Sequence, residues 1–328
     1  MATSGSWNFG LTAATAIQDA AENLGVLQPG GTIVTAHQTA MLRKLNLIVK
    51  QWQGMSDFAP GLKVHTRQRI SLFLAKGQQR YLIGPASTDS RAATAWGRTT
   101  ISANEAALQT ELSITSNVDT TTAPGTTVTM TASDIIGIEQ NDGTIHWSAI
   151  SGTPGATATI ASAITVAANA GNYVYWFTAR AQRFVHIESA LLRDENYKDT
   201  PLDVYRSVEE YEKGVSDKYA DGDPTCILVE PRSLNTAVTL DAQPSDVTKT
   251  IILTVLYPGE DLDATTDDLS FPQEWYRPIT WQLTIDSAPM FSKPVTNEMK
   301  MLRDEALMMA RNANPENSVL YFQPGSSG

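Results

Sequence analysis

Apolar residues recur at helical spacing towards both ends of the chain and alternate with polar ones in between. Residues 12–24 predict a helix, with Ile17, Ala21 and Leu24 on one face and Gly25 placed to end it. Leu27 to Gly31 read as a Pro/Gly turn. Thr35 opens a second predicted helix, with Gln38 as its capping-box partner. Its apolar residues Met41, Leu45, Ile48 and Trp52 follow at spacings of four, three and four. After Gly54 the period changes, and residues 62–74 and 79–83 predict a hairpin around Lys76, Gly77 and Gln78. Residues 110–178 are rich in threonine, with short alternating runs and turn signals at Pro124-Gly125, Asp142-Gly143 and Pro154-Gly155. That pattern predicts a small β-sandwich. Its neighbours on both sides are helical or mixed, so it reads as an insertion into a host.

The host resumes near Arg180. Ser207 with Glu210 forms a second capping box and opens a short helix through Val208, Tyr211 and Val215, ending near Gly222. Strands are predicted at 225–230, 236–240 and 250–257, followed by an acidic loop over 258–270. From Pro272 a helix carries Trp275, Ile279 and Leu283 on one face, with Pro278 expected to delay its start or kink it. The last helix, 297–312, places Met299, Leu302, Ala306 and Met309 in a stripe, which Met301, Leu307 and Met308 widen beyond the needs of one neighbour. The expected fold is α+β: a helical host domain whose N- and C-terminal helices pack together, mixed strands, and an inserted β-sandwich. The expected divisions are host helices and hairpin over 1–99, insertion over 100–179, returning host over 180–312 and an extended tail over 313–328.

Composition narrows the classes. Of 328 residues, 42% are apolar, which allows a sizeable core, and only 18% are charged, below the roughly 25% of ordinary domains. A single cysteine, Cys226, excludes an internal disulfide framework and a multi-thiolate zinc site. No apolar run reaches the roughly 18 residues of a membrane span, and the first basic residue is Arg43, so neither membrane insertion nor a signal peptide is expected. A soluble protein of a reducing compartment follows. The net charge of −11 arises wholly in residues 200–328, which hold 21 acidic and 10 basic side chains. Residues 43–98 hold 10 basic and 2 acidic residues, whereas 99–179 hold six acidic residues and no Lys or Arg. The adjacent segments read either as solvated surface or as complementary faces that meet between copies. Free nucleic-acid binding is disfavoured by the acidic balance.

Motifs for chemistry are missing from the sequence. There is no P-loop, nucleophile elbow or zinc-binding histidine pair. His37, His65, His146 and His186 are scattered, and His37 falls on the stripe of the second helix as a packed or interface residue. His186 and Glu188 share a strand face as the best candidate base–carboxylate pair. Asp261, Asp263, Asp267 and Asp268 miss the EF-hand pattern, because Thr266 and Pro272 fall at its sixth and twelfth positions. Glu209, Glu210 and Glu212 lie along one helix with no opposing carboxylate. Cys226 sits in an apolar strand as an inert thiol. No enzymatic activity, cofactor or metal is expected. A competing reading is a carbohydrate- or receptor-binding tail protein, in which Trp147, Tyr173, Tyr175 and Trp176 would stack on sugars; alternation sets Tyr173 and Tyr175 on one face and Trp176 on the other.

A collinear set of residues resembles the head-to-tail adaptors of short-tailed bacteriophages, relatives of the tail tubular protein A class. It comprises Leu45, Asn46, Leu47, Lys50 and Trp52; Gly77, Gln78 and Tyr81; Asp142, Gly143, Thr144 and Trp147; and Gly171, Asn172, Val174 and Tyr175. Tyr211, Lys218, Gly222, Pro224 and Thr225 follow, then Phe271, Pro272, Glu274 and Trp275. Pro278 departs from the family pattern, which has an uninterrupted helix there. The resemblance implies a structural virion protein of the neck, assembled in the host cytoplasm. Its partners would be the portal protein, a tail nozzle of the tail tubular protein B type, and further copies of itself in a ring, commonly of twelve. Genomic DNA would pass through the lumen without sequence-specific binding. The resemblance further implies portal docking by the C-terminal tail, here through Val319, Leu320, Tyr321 and Phe322. From the charge pattern, Arg67, Arg69 and Arg80 are the expected lateral ring contacts.

Overall fold

The computed structural model describes residues 9–53, 62–85, 91–120, 127–217, 220–245 and 247–313, with the side chains of residues 63 and 64 excepted. Its helices are α1 (Ala13–Asn23), α2 (Thr35–Gln53), α3 (Val208–Gly214), α4 (Tyr276–Ser287) and α5 (Asn297–Ala313). Strands β1 (Arg67–Phe73), β2 (Arg80–Ile83) and β3 (Ala92–Ala93) precede the threonine-rich segment. That segment holds β4 (Gly97–Thr100), β5 (Glu111–Ser113), β6 (Val118–Asp119), β7 (Val128–Thr129), β8 (Ile135–Glu139), β9 (Ile145–Ala149), β10 (Thr157–Thr159) and β11 (Tyr173–Phe177). After it come β12 (His186–Arg193), β13 (Asp199–Tyr205), β14 (Cys226–Pro231), β15 (Thr236–Leu240) and β16 (Thr250–Leu256). The chain thus mixes helix and strand, and it divides into two compact units, 1–66 with 258–328, and 67–257. Residues 67–99 and 180–257 therefore lie with the threonine-rich segment and not with the terminal helices. The physical reason is hydrogen bonding: their strands complete one sheet.

That sheet has eight strands in the order β2-β15-β14-β13-β12-β16-β1-β3 and is nearly closed. Only the β13–β14 pairing is parallel. Its inner face supplies one core, with Ile70, Leu72, Tyr81, Ile83, Ile187, Leu192, Ile227, Val229, Val238, Ile251, Leu253 and Val255 all buried. The predicted hairpin is not formed. Residues 62–66 make a 3-10 turn, and β1 pairs with β16 and β3 while β2 pairs with β15. A tight turn does exist, with Gly77 at φ +71° and Gln78 N–H donating to the Ala75 carbonyl. From Ile70 on, however, both faces of β1 are buried, and its two edges are taken by β16 and β3, which leaves none for β2. β13 escaped the sequence reading because Pro201 and its exposed polar positions mask the alternation.

The threonine-rich segment builds a four-stranded antiparallel sheet, β4-β11-β8-β9, and the small pairs β5–β10 and β6–β7. β11 shows why this segment folds as it does. Val174 and Trp176 point into a core of Ile101, Leu112, Ile136, Ile138, Ile160 and Ile164. Tyr175 and Phe177 point the other way, into a cluster with Phe73 of β1, Trp96, Ile145 and Val247. Phe73 lies 5.2 Å from Tyr175 and stacks on Phe177 at 5.8 Å. The four-stranded sheet is thus buried on both faces, one of them by the eight-stranded sheet.

The helical unit is one core drawn from both ends of the chain. Ile17 of α1, Met41, Leu45, Ile48 and Trp52 of α2, Ile279 and Leu283 of α4, and Ala310 of α5 meet around Trp275, whose ring lies edge-on to Trp52 at 5.9 Å. Thr12 caps α1 by accepting the Thr15 N–H, and Gly25 ends it at φ +64°. Thr35 is already helical in α2, so it does not serve as the expected cap. Ser207 stands at the N-cap of α3 but makes no side-chain capping bond. Pro278 delays its helix: residues 273–275 form a 3-10 turn and α4 starts at Tyr276, which leaves the proline in the first turn, where its missing N–H costs nothing. The acidic loop is stitched down by Asn46, whose amide bonds both the N–H and the carbonyl of Leu262 at 2.9 Å.

Gly97 has no room for a side chain, because a Cβ there would overlap the Trp176 indole. Gly97→Ala is expected to destabilise the β unit by roughly 1–3 kcal/mol, read as a lowered denaturation midpoint; an unchanged midpoint would show that the indole can move aside.

Candidate functional site

The charged residues of the β unit are largely engaged within the chain. Arg67 of β1 holds Glu188 in a two-pronged contact at 2.5 and 2.7 Å. Glu188 falls at a bulge of β12, where the register skips from Ile187 to Ser189. The carboxylate proposed as partner of His186 is therefore held by a guanidinium. Arg80 reaches Glu230 at 3.1 Å, and Arg69 stands exposed on β1 opposite Thr254, on the row that carries Arg67. Arg193 grips Asp199 at 2.7 and 2.8 Å, and this bond, with a further contribution from Arg69, holds the Asp199 carboxyl below the ordinary carboxylate range.

The acidic segment 99–179 is not an acidic surface. Glu105, Asp119 and Asp134 are buried and accept the N–H groups of Ser113, Arg98 and Thr131. Glu139 accepts the N–H of Tyr173, and Asp142 is held low by the hydroxyl and N–H of Thr144. These carboxylates satisfy backbone donors that the short strands leave over.

The remaining chemical candidates are equally occupied. In the acidic loop Asp261 pairs with Lys50 at 2.7 Å, and Asp267 accepts the N–H groups of Asp263 and Ala264. Among the described residues no group of three or more His, Cys, Asp or Glu is arranged to hold a metal ion, and no helix is long and apolar enough to cross a membrane. His37 packs against Phe291 at 5.0 Å. His65 lies edge-on to Trp275 at 6.4 Å, and burial lowers its pKa. His146 meets the Ser162 hydroxyl at 3.3 Å in an exposed position. Of the aromatic set, Tyr175 and Trp176 are fully buried, Trp147 packs beside Phe177, and Tyr173 stacks with the Arg98 guanidinium at 5.1 Å. These rings do not form an open platform.

Large apolar side chains are exposed on both units: Leu108, Val185, Val208 and Leu234 on the β unit, and a further set on the helical unit. α5 buries Ala306 and Ala310, with Leu302 and Leu307 partly covered. Met301 and Met308, two turns apart, point the opposite way and are 71% and 58% exposed. Met309, expected in the buried stripe, is 54% exposed, because the stripe centres on Ala306 and Ala310. On α2, Leu47 is 64% exposed, in line with exposed Ala36 and Arg43. α4 packs against α1, α2 and α5, and α1 packs against α2, so the exposed side chains of α2 and α5 belong to different helices gathered around α4. Helical periodicity named Met301 and Met308 as excess; nothing in the sequence marked Leu47 as exposed. The docking candidates Val319, Leu320, Tyr321 and Phe322 lie outside the described residues.

Comparison of the chain with protein-family models and with curated proteins finds no match.

Cys226 is buried in β14 beside Asp241, and burial together with that carboxylate pushes its thiol up to about 12. Thiolate at pH 8 is then a fraction of about 10⁻⁴. An aromatic disulfide reagent is expected to leave the native thiol unmodified for as long as the protein stays folded and to react within minutes in denaturant; fast native reaction would contradict the burial.

Proposed function

We propose that the chain is a structural ring subunit, a head-to-tail adaptor of the short-tailed phage type that sits between a portal and a tail nozzle. The observation that supports this reading is the exposure of large apolar side chains on two helices of one unit, Met301 and Met308 on α5 and Leu47 on α2. Large apolar side chains in line on a surface mark contacts with other proteins, and two such faces per subunit suit a closed ring. The unit built from both chain ends serves as the helical body of the subunit, and the threonine-rich segment as a small β-domain inserted into the β unit. Engagement of the charged side chains within the chain suits a ring of about twelve copies through whose lumen DNA slides, with net negative charge opposing phosphate binding. The neck of the virion is the place such a subunit would occupy.

The sugar-binding alternative has less support, because Tyr175 and Trp176 are core residues and Trp147 and Tyr173 pack within the aromatic cluster. A non-enzymatic role agrees with Glu188 being held by Arg67 and with the protonated, buried Cys226.

Electron microscopy of the full chain mixed with portal rings of a short-tailed phage tests the reading. The expected result is an annular layer of this protein on the tail-side face of the portal. Portal rings that stay bare at micromolar protein, with no annular particle of the chain alone, would overturn it.

A further inference from the structure

We propose that neighbouring copies meet through the outward face of α5 on one subunit and the outward face of α2 on the next, with Met301 and Met308 seated over Ala36, Ala40 and Leu47. The proposal rests on the ring reading above and names the contact that would close it.

Shape is the first argument. Along α2, Ala36 and Ala40 are one turn apart and leave a shallow strip beside Leu47, while along α5 the two methionines project one above the other. Small side chains on one helix and long, unbranched, adaptable ones on the other let the backbones approach closely. Charge is the second. α2 carries Arg43, Lys44 and Lys50 and no carboxylate. Lys44 and Lys50 are engaged within the chain, donating to the Asp286 and Gly259 carbonyls, with Lys50 also paired to Asp261, while Arg43 stands exposed one turn from Leu47. On α5, exposed Glu305 stands between Met301 and Met308, one turn from each, with Asp304 and Glu298 nearby. An arginine beside leucine therefore faces a glutamate flanked by methionines.

Topology is the third. Because the two faces differ, their pairing is head-to-tail, and each subunit keeps one free face of each kind until the ring closes. A methionine face that met its own copy would give a closed dimer and would bring Glu305 near its own symmetry mate, an unfavourable like-charge approach.

The test uses the full chain with Leu47→Cys and Met301→Cys combined, alongside each single variant. Cys226 is buried with its thiol protonated and so does not compete. After mild oxidation at raised protein concentration, non-reducing gels of the double variant are expected to show a ladder of dimer, trimer and higher species, while the single variants stay at monomer. Arg43→Glu or Glu305→Lys in that background should each cut the ladder about fivefold, and the two together should restore it. Dimers formed by Met301→Cys alone would show that the α5 face meets its own copy, which overturns the proposal. A double variant that sediments as a defined oligomer without laddering overturns this contact and leaves the ring standing. A double variant that remains a monomer throughout, with portal rings still bare, sinks the ring reading together with this contact.

Discussion

The antiparallel pairing of β1 with β16 is the constraint on which the rest depends. Seven residue pairs run from Arg67 opposite Leu256 to Phe73 opposite Thr250. The chain enters the β unit at Arg67 and leaves it after Tyr257, so this ladder sets the exit of the N-terminal segment beside the start of the C-terminal one. Joining strands so far apart in sequence carries a large loop-closure cost, which the burial of Ile70, Leu72, Ile251, Leu253 and Val255 must offset. Once the ladder is made, the two terminal segments are held at high effective concentration, and α1 and α2 can share one core with α4 and α5.

The same two strands organise the other half of the fold. The inner face of β1 feeds the core of the eight-stranded sheet through Ile70 and Leu72. Its outer face gives Phe73 to the aromatic cluster with Tyr175, Phe177 and Trp96. One seven-residue strand thus ties the threonine-rich segment to its host by packing as well as by covalent connection. The segment is less separable than an insertion read from composition suggests, since removing it would bare Phe73 and Val247 to water. Removal of comparable aromatic contacts costs several kcal/mol.

Local signals in the sequence were legible and pairing was not. The helices α1, α2, α4 and α5 follow from apolar spacing and from Gly25 and Pro278, and the split of β11 into two faces follows from alternation alone. The β1–β2 hairpin did not, because the turn at Gly77 is real but β1 pairs with β16 and β3 and β2 with β15, so the two strands never meet. Charge was the least transparent. The carboxylates of 99–179 look like an acidic face when counted, yet Glu105, Asp119 and Asp134 are buried on backbone N–H groups, which a count of charges does not register. Likewise the arginines of β1 and β2 appeared as a basic surface, whereas Arg67 and Arg80 meet Glu188 and Glu230 across the sheet. Surface methionines were foreseeable from the width of the α5 stripe, but their exposure depends on which face α4 covers.

Native-state hydrogen exchange of the full chain measures the role of the β1–β16 ladder most directly. Protection is expected to be greatest for the amides of 69–72 and 251–254, which should open together and only with global unfolding, well after the β5–β10 pair at the edge of the threonine-rich segment. Exchange of β1 and β16 at separate rates, or ahead of β5 and β10, would contradict the account that this ladder holds the fold together.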